Sequence, residues 1–88
     1  KKGTNIAIDS NYIELILKGL GYVGELLVYQ GKINDAKEVY IKALSTAEKF
    51  KVKNSIIQIK ILLKSLGLNE EEIEKELRNY RNLKIKLQ

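Results

Sequence analysis

The sequence predicts an all-α chain of four helices folded as two antiparallel hairpins, on three observations. Apolar residues recur at spacings of three and four in four successive segments, helix-opening and helix-closing residues punctuate those segments, and proline is absent. Only Ile6-Ala7-Ile8 alternates as a strand would, and it is too short to build a sheet. The expected organisation is a flexible segment over residues 1–10 and a helical domain over 11–88, with helices at about 11–30, 34–50, 54–66 and 69–86.

In the first helix Ile13, Ile16, Leu20, Val23 and Leu27 share one face, and Asn11 with Glu14 has the spacing of a capping box. Gly31 supplies the residue that takes a left-handed turn at a helix end without a Cβ clash. The second helix is expected to open near Asn34 or Asp35, with Glu38 completing a box. Its buried stripe is Ala36, Tyr40, Ala43, Ala47 and Phe50, flanked by Val39 and Leu44. Asn54, Ser55 and Gln58 open the third, whose stripe is Ile56, Ile59, Leu63 and Leu66, with Ile57 and Ile61 roughly opposite and Gly67 as the stop. Asn69 and Glu72 open the fourth, which buries Ile73, Leu77, Tyr80 and Leu83. Its Glu70, Glu71, Glu72 and Glu74 precede Arg78, Arg81 and Lys84, the order the helix dipole favours. Connections of two to four residues force neighbouring helices antiparallel.

With 88 residues, 44 % hydrophobic and 31 % charged, the chain is long enough for one small core and apolar enough to fold. It has no Cys and no His. That removes disulfide frameworks, zinc ribbons, thiol nucleophiles and imidazole bases, and with them most hydrolytic mechanisms. No enzymatic activity and no cofactor are expected. Charged residues interrupt the greasiest stretch, Tyr12 to Tyr29, so no membrane span is expected and the anticipated compartment is cytoplasmic. A start at Lys1 rather than Met predicts a piece of a longer polypeptide. The net charge of +5 is spread along the chain among glutamates, which disfavours a nucleic-acid stripe.

Two motifs have a chemical and a structural reading. Gly19-Leu20-Gly21-Tyr22-Val23-Gly24 fits G-x-G-x-x-G, but a dinucleotide site needs a strand before it and a second strand ending in an acid about 20 residues on. The helical pattern of Asn34 to Tyr40 stands there instead, so close helix packing around Gly24 is expected. Glu70-Glu71-Glu72 could attract a hard cation, but consecutive helical side chains diverge by about 100° and do not converge on an ion. No metal is expected.

Leu20, Val23-Gly24, Leu27, Gln30-Gly31, Asp35-Ala36, Tyr40 and Lys42-Ala43-Leu44 together resemble a tetratricopeptide repeat, in which large and small residues alternate through a helical hairpin. The small residues Gly24, Ala36 and Ala43 carry the match, with Gly31 at the turn and Tyr40 as the aromatic. Glu48 stands where the family commonly has Pro, and the second hairpin resembles a degenerate terminal repeat. The resemblance implies a fragment of a right-handed α-superhelix whose groove binds a protein or peptide. Carried over by position, it implies groove contacts from Lys18, Gly21, Glu25, Val28 and Tyr29 of the first helix and from Asn54, Ile57, Ile61 and Lys64 of the third. Tyr29, Ile57 and Ile61 would be apolar anchors, with Lys18 and Lys64 steering an acidic partner. The family's carboxylate clamp is not reproduced, because Gly21 and Glu25 occupy its positions. The alternatives are a nucleic-acid-binding helical domain and an architectural cap or oligomerisation unit of a helical array.

Overall fold

A computed structural model of the chain describes residues 10–87, with side-chain surroundings for 11–83. The segment 1–10 expected to be flexible, and the alternation at Ile6 to Ile8, lie outside the described residues except for Ser10, which opens the first helix. Four helices follow in order: α1 Ser10–Tyr29, α2 Ile33–Lys49, α3 Lys53–Ser65 and α4 Glu70–Leu87. They pack mostly as consecutive antiparallel pairs. No helix among the described residues is long and apolar enough to cross a membrane.

The three connections share one piece of backbone chemistry. At the first, the amide of Gly31 donates to the carbonyl of Val28 (2.9 Å) and that of Lys32 to Leu27 (2.8 Å). At the second, Lys51 donates to Glu48 (3.2 Å) and Val52 to Ala47 (2.9 Å); at the third, Gly67 donates to Lys64 (2.9 Å) and Leu68 to Leu63 (3.3 Å). Each pair is a Schellman closure, which satisfies the last carbonyls of a helix through one residue at positive φ. Gly31 and Gly67 take that conformation freely at φ 80° and 101°, whereas Lys51 takes it at 56° against its own Cβ. Lys51→Gly is therefore expected to stabilise the chain by about 1 kcal/mol, seen as a higher urea midpoint at unchanged m-value. An unchanged or lowered midpoint would count against strain at this turn.

The same closures set where α2 and α3 begin. Lys32 and Val52 end one turn and also accept the first bond of the next helix, from Ala36 and Ile56 respectively, both at 3.0 Å. Neither makes a side-chain cap bond, so the helices open at Ile33 and Lys53, ahead of the Asn34/Asp35 and Asn54/Ser55 boxes expected there. Asn11 falls inside α1. The box at Asn69 forms in both directions, Glu72 N–H to Asn69 Oδ1 at 2.8 Å and Asn69 N–H to Glu72 Oε1 at 2.9 Å.

The core is built around α2, which is the most extensively contacted partner of each of the other three helices. It buries Ala36, Tyr40, Ile41, Ala43, Leu44 and Ala47, with Ile59 and Leu63 from α3 and Ile73 and Leu77 from α4. Phe50, expected in this stripe, stays 38 % exposed, with the Lys49 ammonium 5.7 Å from its ring centroid. Leu83 of α4 is exposed as well. Within this arrangement α4 packs more extensively on α2 than on α3. Lys37–Glu76 at 3.5 Å and an Arg81–Glu48 pair flank that α2–α4 contact, and Lys64–Glu70 at 2.9 Å joins α3 to the start of α4.

α1 turns a different face inward from the one its spacing suggests. Ile13 and Leu17 are buried and Leu20, Leu27 and Val28 pack against the core, while Ile16 and Val23 point out. Gly24 fixes this rotation. A methyl group there would sit 2.7 Å from Cζ and 2.9 Å from Cδ1 of Tyr40, and nearer still to Cε1, so only glycine lets the ring lie against the α1 backbone. Gly21 has nothing within 4 Å of the same methyl. One substitution should thus act with opposite signs: Gly21→Ala should add roughly 0.5–1 kcal/mol through helix propensity. Gly24→Ala should lose stability, because overpacking costs about 1–3 kcal/mol and outweighs that gain. Denaturant titration of the two variants checks both.

Candidate functional site

Between α1 and α3 lies an open groove of about 570 Å³. Its position follows from the rotation of α1: with Gly24 seated on Tyr40, the side carrying Lys18, Gly21 and Glu25 overlooks α3. Leu17, Ile59 and Leu62 give it an apolar floor, while Glu14, Lys18, Tyr22 and Glu25 stand along the α1 side. Asn54, Ser55 and Gln58 line the α3 side, where two amides and a hydroxyl offer both donors and acceptors. Gly21 leaves the α1 wall without a side chain, so a ligand can approach the helix backbone there.

The sequence-predicted contact residues divide. Lys18, Gly21, Glu25 and Asn54 line the groove. Val28 is half-buried against the core, Tyr29 is 91 % exposed on another side of α1, and neither lines it. Ile57 and Ile61 are exposed on the outer side of α3, and Lys64 is engaged with Glu70. The α3 wall is instead Asn54, Ser55, Gln58, Ile59 and Leu62. Gln58 also fits a capping box three residues after Ser55; its four-residue spacing from Asn54 puts both amides on one helical face.

Electrostatically the lining is mixed, with two glutamates and one lysine. Steering of an acidic partner therefore rests on Lys18 alone within the groove. Just behind the wall, burial lifts the Tyr40 hydroxyl above the ordinary phenol value, and the Glu25 carboxylate adds to the shift. Glu70, outside the groove, is held below the usual carboxylate value by its hydrogen bond from Lys64, then by the charges of Lys64 and Lys60. Among the described residues no group of three or more acidic side chains is placed to hold a metal ion. The G-x-G-x-x-G run lies in the interior of α1, where its amides serve the helix's own ladder and cannot cradle a pyrophosphate.

The groove thus sets an apolar floor between polar and charged walls. An extended chain laid along it would meet apolar floor, polar wall and flanking charge in turn. No family model, curated protein or solved structure matches this chain.

Proposed function

We propose that the chain is a tetratricopeptide-like interaction module that binds an extended peptide segment of a partner protein in the groove between α1 and α3. The observation that carries this reading is the pairing of an apolar floor, Leu17, Ile59 and Leu62, with the amides of Asn54 and Gln58 on one wall. Such a wall hydrogen-bonds a peptide main chain, while the floor takes an apolar side chain. The family resemblance is supported by the close seat of Gly24 on Tyr40 and by the full burial of Ala36 and Ala43. The flanking Glu14 and Glu25 favour a peptide with a Lys or Arg beside its apolar anchor. Binding to nucleic acid is the weaker reading, because Lys37, Lys64 and Arg81 are paired with glutamates among the described residues.

Selection of a random-peptide library on the 88-residue chain tests the proposal. Enriched peptides should share an apolar residue near a basic one, and their affinity should fall about tenfold or more for Gly21→Arg, which fills the groove from the α1 side. Asn54→Ala with Gln58→Ala should weaken binding through the lost main-chain bonds. Peptides that bind these variants as well as the unmodified chain would place the site elsewhere, and a selection yielding no binders would remove the reading.

A further inference from the structure

The side of α1 facing away from the core carries a second apolar row. Tyr12, Leu15, Tyr22, Leu26 and Tyr29 are 58–91 % exposed, and with Gly19 they step along the helix at intervals of three, four, three, four and three. A 3.5-residue repeat is the spacing of a seam between two helices, not of one helix against a core. Ile16 and Val23, 40 % and 47 % exposed, border the row on one side, and Lys18 and Glu25 border it on the other. Three of the chain's five tyrosines stand in this row, and tyrosine is favoured where an apolar body is buried and its hydroxyl stays wet.

We propose that two copies of this chain pair through this face, with their α1 helices antiparallel about a twofold axis. The register follows from charge and volume together. Placing Gly19 opposite Tyr22 of the second copy also sets Leu15 against Leu26, Tyr12 against Tyr29, Ile16 against Val23 and Lys18 against Glu25, and the twofold repeats every contact. Both bordering charges are then neutralised by opposite charges, and the other border is apolar on both copies. Gly19 has nothing within 4 Å of its missing Cβ, so it leaves room for the incoming Tyr22 ring. That gives a reason for a glycine in the middle of α1. A parallel pairing would instead oppose Gly19 to Gly19, crowd Tyr22 against Tyr22 and set Lys18 beside Val23. The seam shares Tyr22, Lys18 and Glu25 with the α1 rim of the groove, but it is argued from the exposed row and its charges and does not depend on the peptide reading.

Sedimentation equilibrium of the 88-residue chain at several concentrations and low salt tests the pairing. The mass should rise with concentration from 10.1 kDa toward twice that value. Lys18→Glu and Glu25→Lys, both at exposed positions, should each weaken self-association roughly tenfold by making both flanking pairs repulsive. An equimolar mixture of the two variants should associate, since the acidic edge of one faces the basic edge of the other, and the double variant should regain pairing with itself. Gly19→Leu should reduce association while its circular dichroism shows the helices intact. A chain that stays at 10.1 kDa at every concentration overturns the proposal, as does a dimer indifferent to the charge reversals or a mixture that fails to associate.

Discussion

Tyr40→Ala is expected to lower the unfolding free energy by about 3–5 kcal/mol, the cost typical of removing a large aromatic ring from a core. The side chain is 2 % exposed and lies flat enough on α1 for Gly24 to be the only residue that fits beneath it. Its companions along α2 are Ala36, Ala43 and Ala47, which are too short to fill the space the ring would leave. A domain of this size has roughly 5–10 kcal/mol to lose, so the variant should be partly unfolded near room temperature. Urea titration followed by circular dichroism measures the difference, and a loss under about 1 kcal/mol would mean that Tyr40 does not seat α1. The raised phenol makes a separate expectation about pH. A hydroxyl that holds its proton more tightly when folded contributes stability that is complete below the ordinary value of 10.0 and is lost as pH climbs through the higher folded value. Tyr40→Phe, which keeps the ring, should therefore flatten the fall of stability above pH 10 relative to the unmodified chain.

The contrast between Tyr40 and its neighbours shows which parts of the fold were legible. Helix number and order could be read because Gly31 and Gly67 announce two of the three turns, and the reciprocal Asn69–Glu72 box announces α4. The break at 51–53 was legible only from the capping residues Asn54 and Ser55 after it, and its closing residue was not, since a lysine at positive φ has no compositional signature; it is held there by the bonds of Lys51 and Val52 back to α2. The face of α1 was ambiguous for another reason. Apolar residues stand on most of its circumference, so 13, 16, 20, 23, 27 and 13, 17, 20, 24, 27 are equally regular helical sets, and only contact with Tyr40 selects the second. That choice moves Ile16 and Val23 outward. On α3 the apolar stripe was clear, but the groove wall was not, because Asn54, Ser55 and Gln58 have an equally good reading as helix-capping residues. Their role depends on what α1 places opposite them, which no local pattern contains.

Leu77→Ala is the second large effect, expected to cost about 2–5 kcal/mol, and its distribution along the chain matters as much as its size. Leu77 is 1 % exposed and Ile73 fully buried, while Tyr80 is only partly covered. These side chains dock α4 on α2 and α3, and among the described residues α4 makes no contact with α1. The ion pairs Lys37–Glu76 and Arg81–Glu48 lie at the margin of that contact and contribute at most about 1 kcal/mol each in water. Removing the Leu77 side chain should therefore release α4 before the rest unfolds. Native-state hydrogen exchange should show α4 amides opening at a much lower free energy than those of α1 and α2. Glu76→Gln, by contrast, should change stability by no more than about 0.5 kcal/mol. A uniform loss of protection across all four helices would mean that α4 is cooperatively locked to α1 through α2. If α4 opens alone, the groove should keep its form, because both its walls are held by α2: α1 through Tyr40 on Gly24, and α3 through Ile59 and Leu63 in the shared core. Peptide affinity in Leu77→Ala should then remain close to that of the unmodified chain while the variant is folded, which separates the element that completes the core from the two that shape the groove.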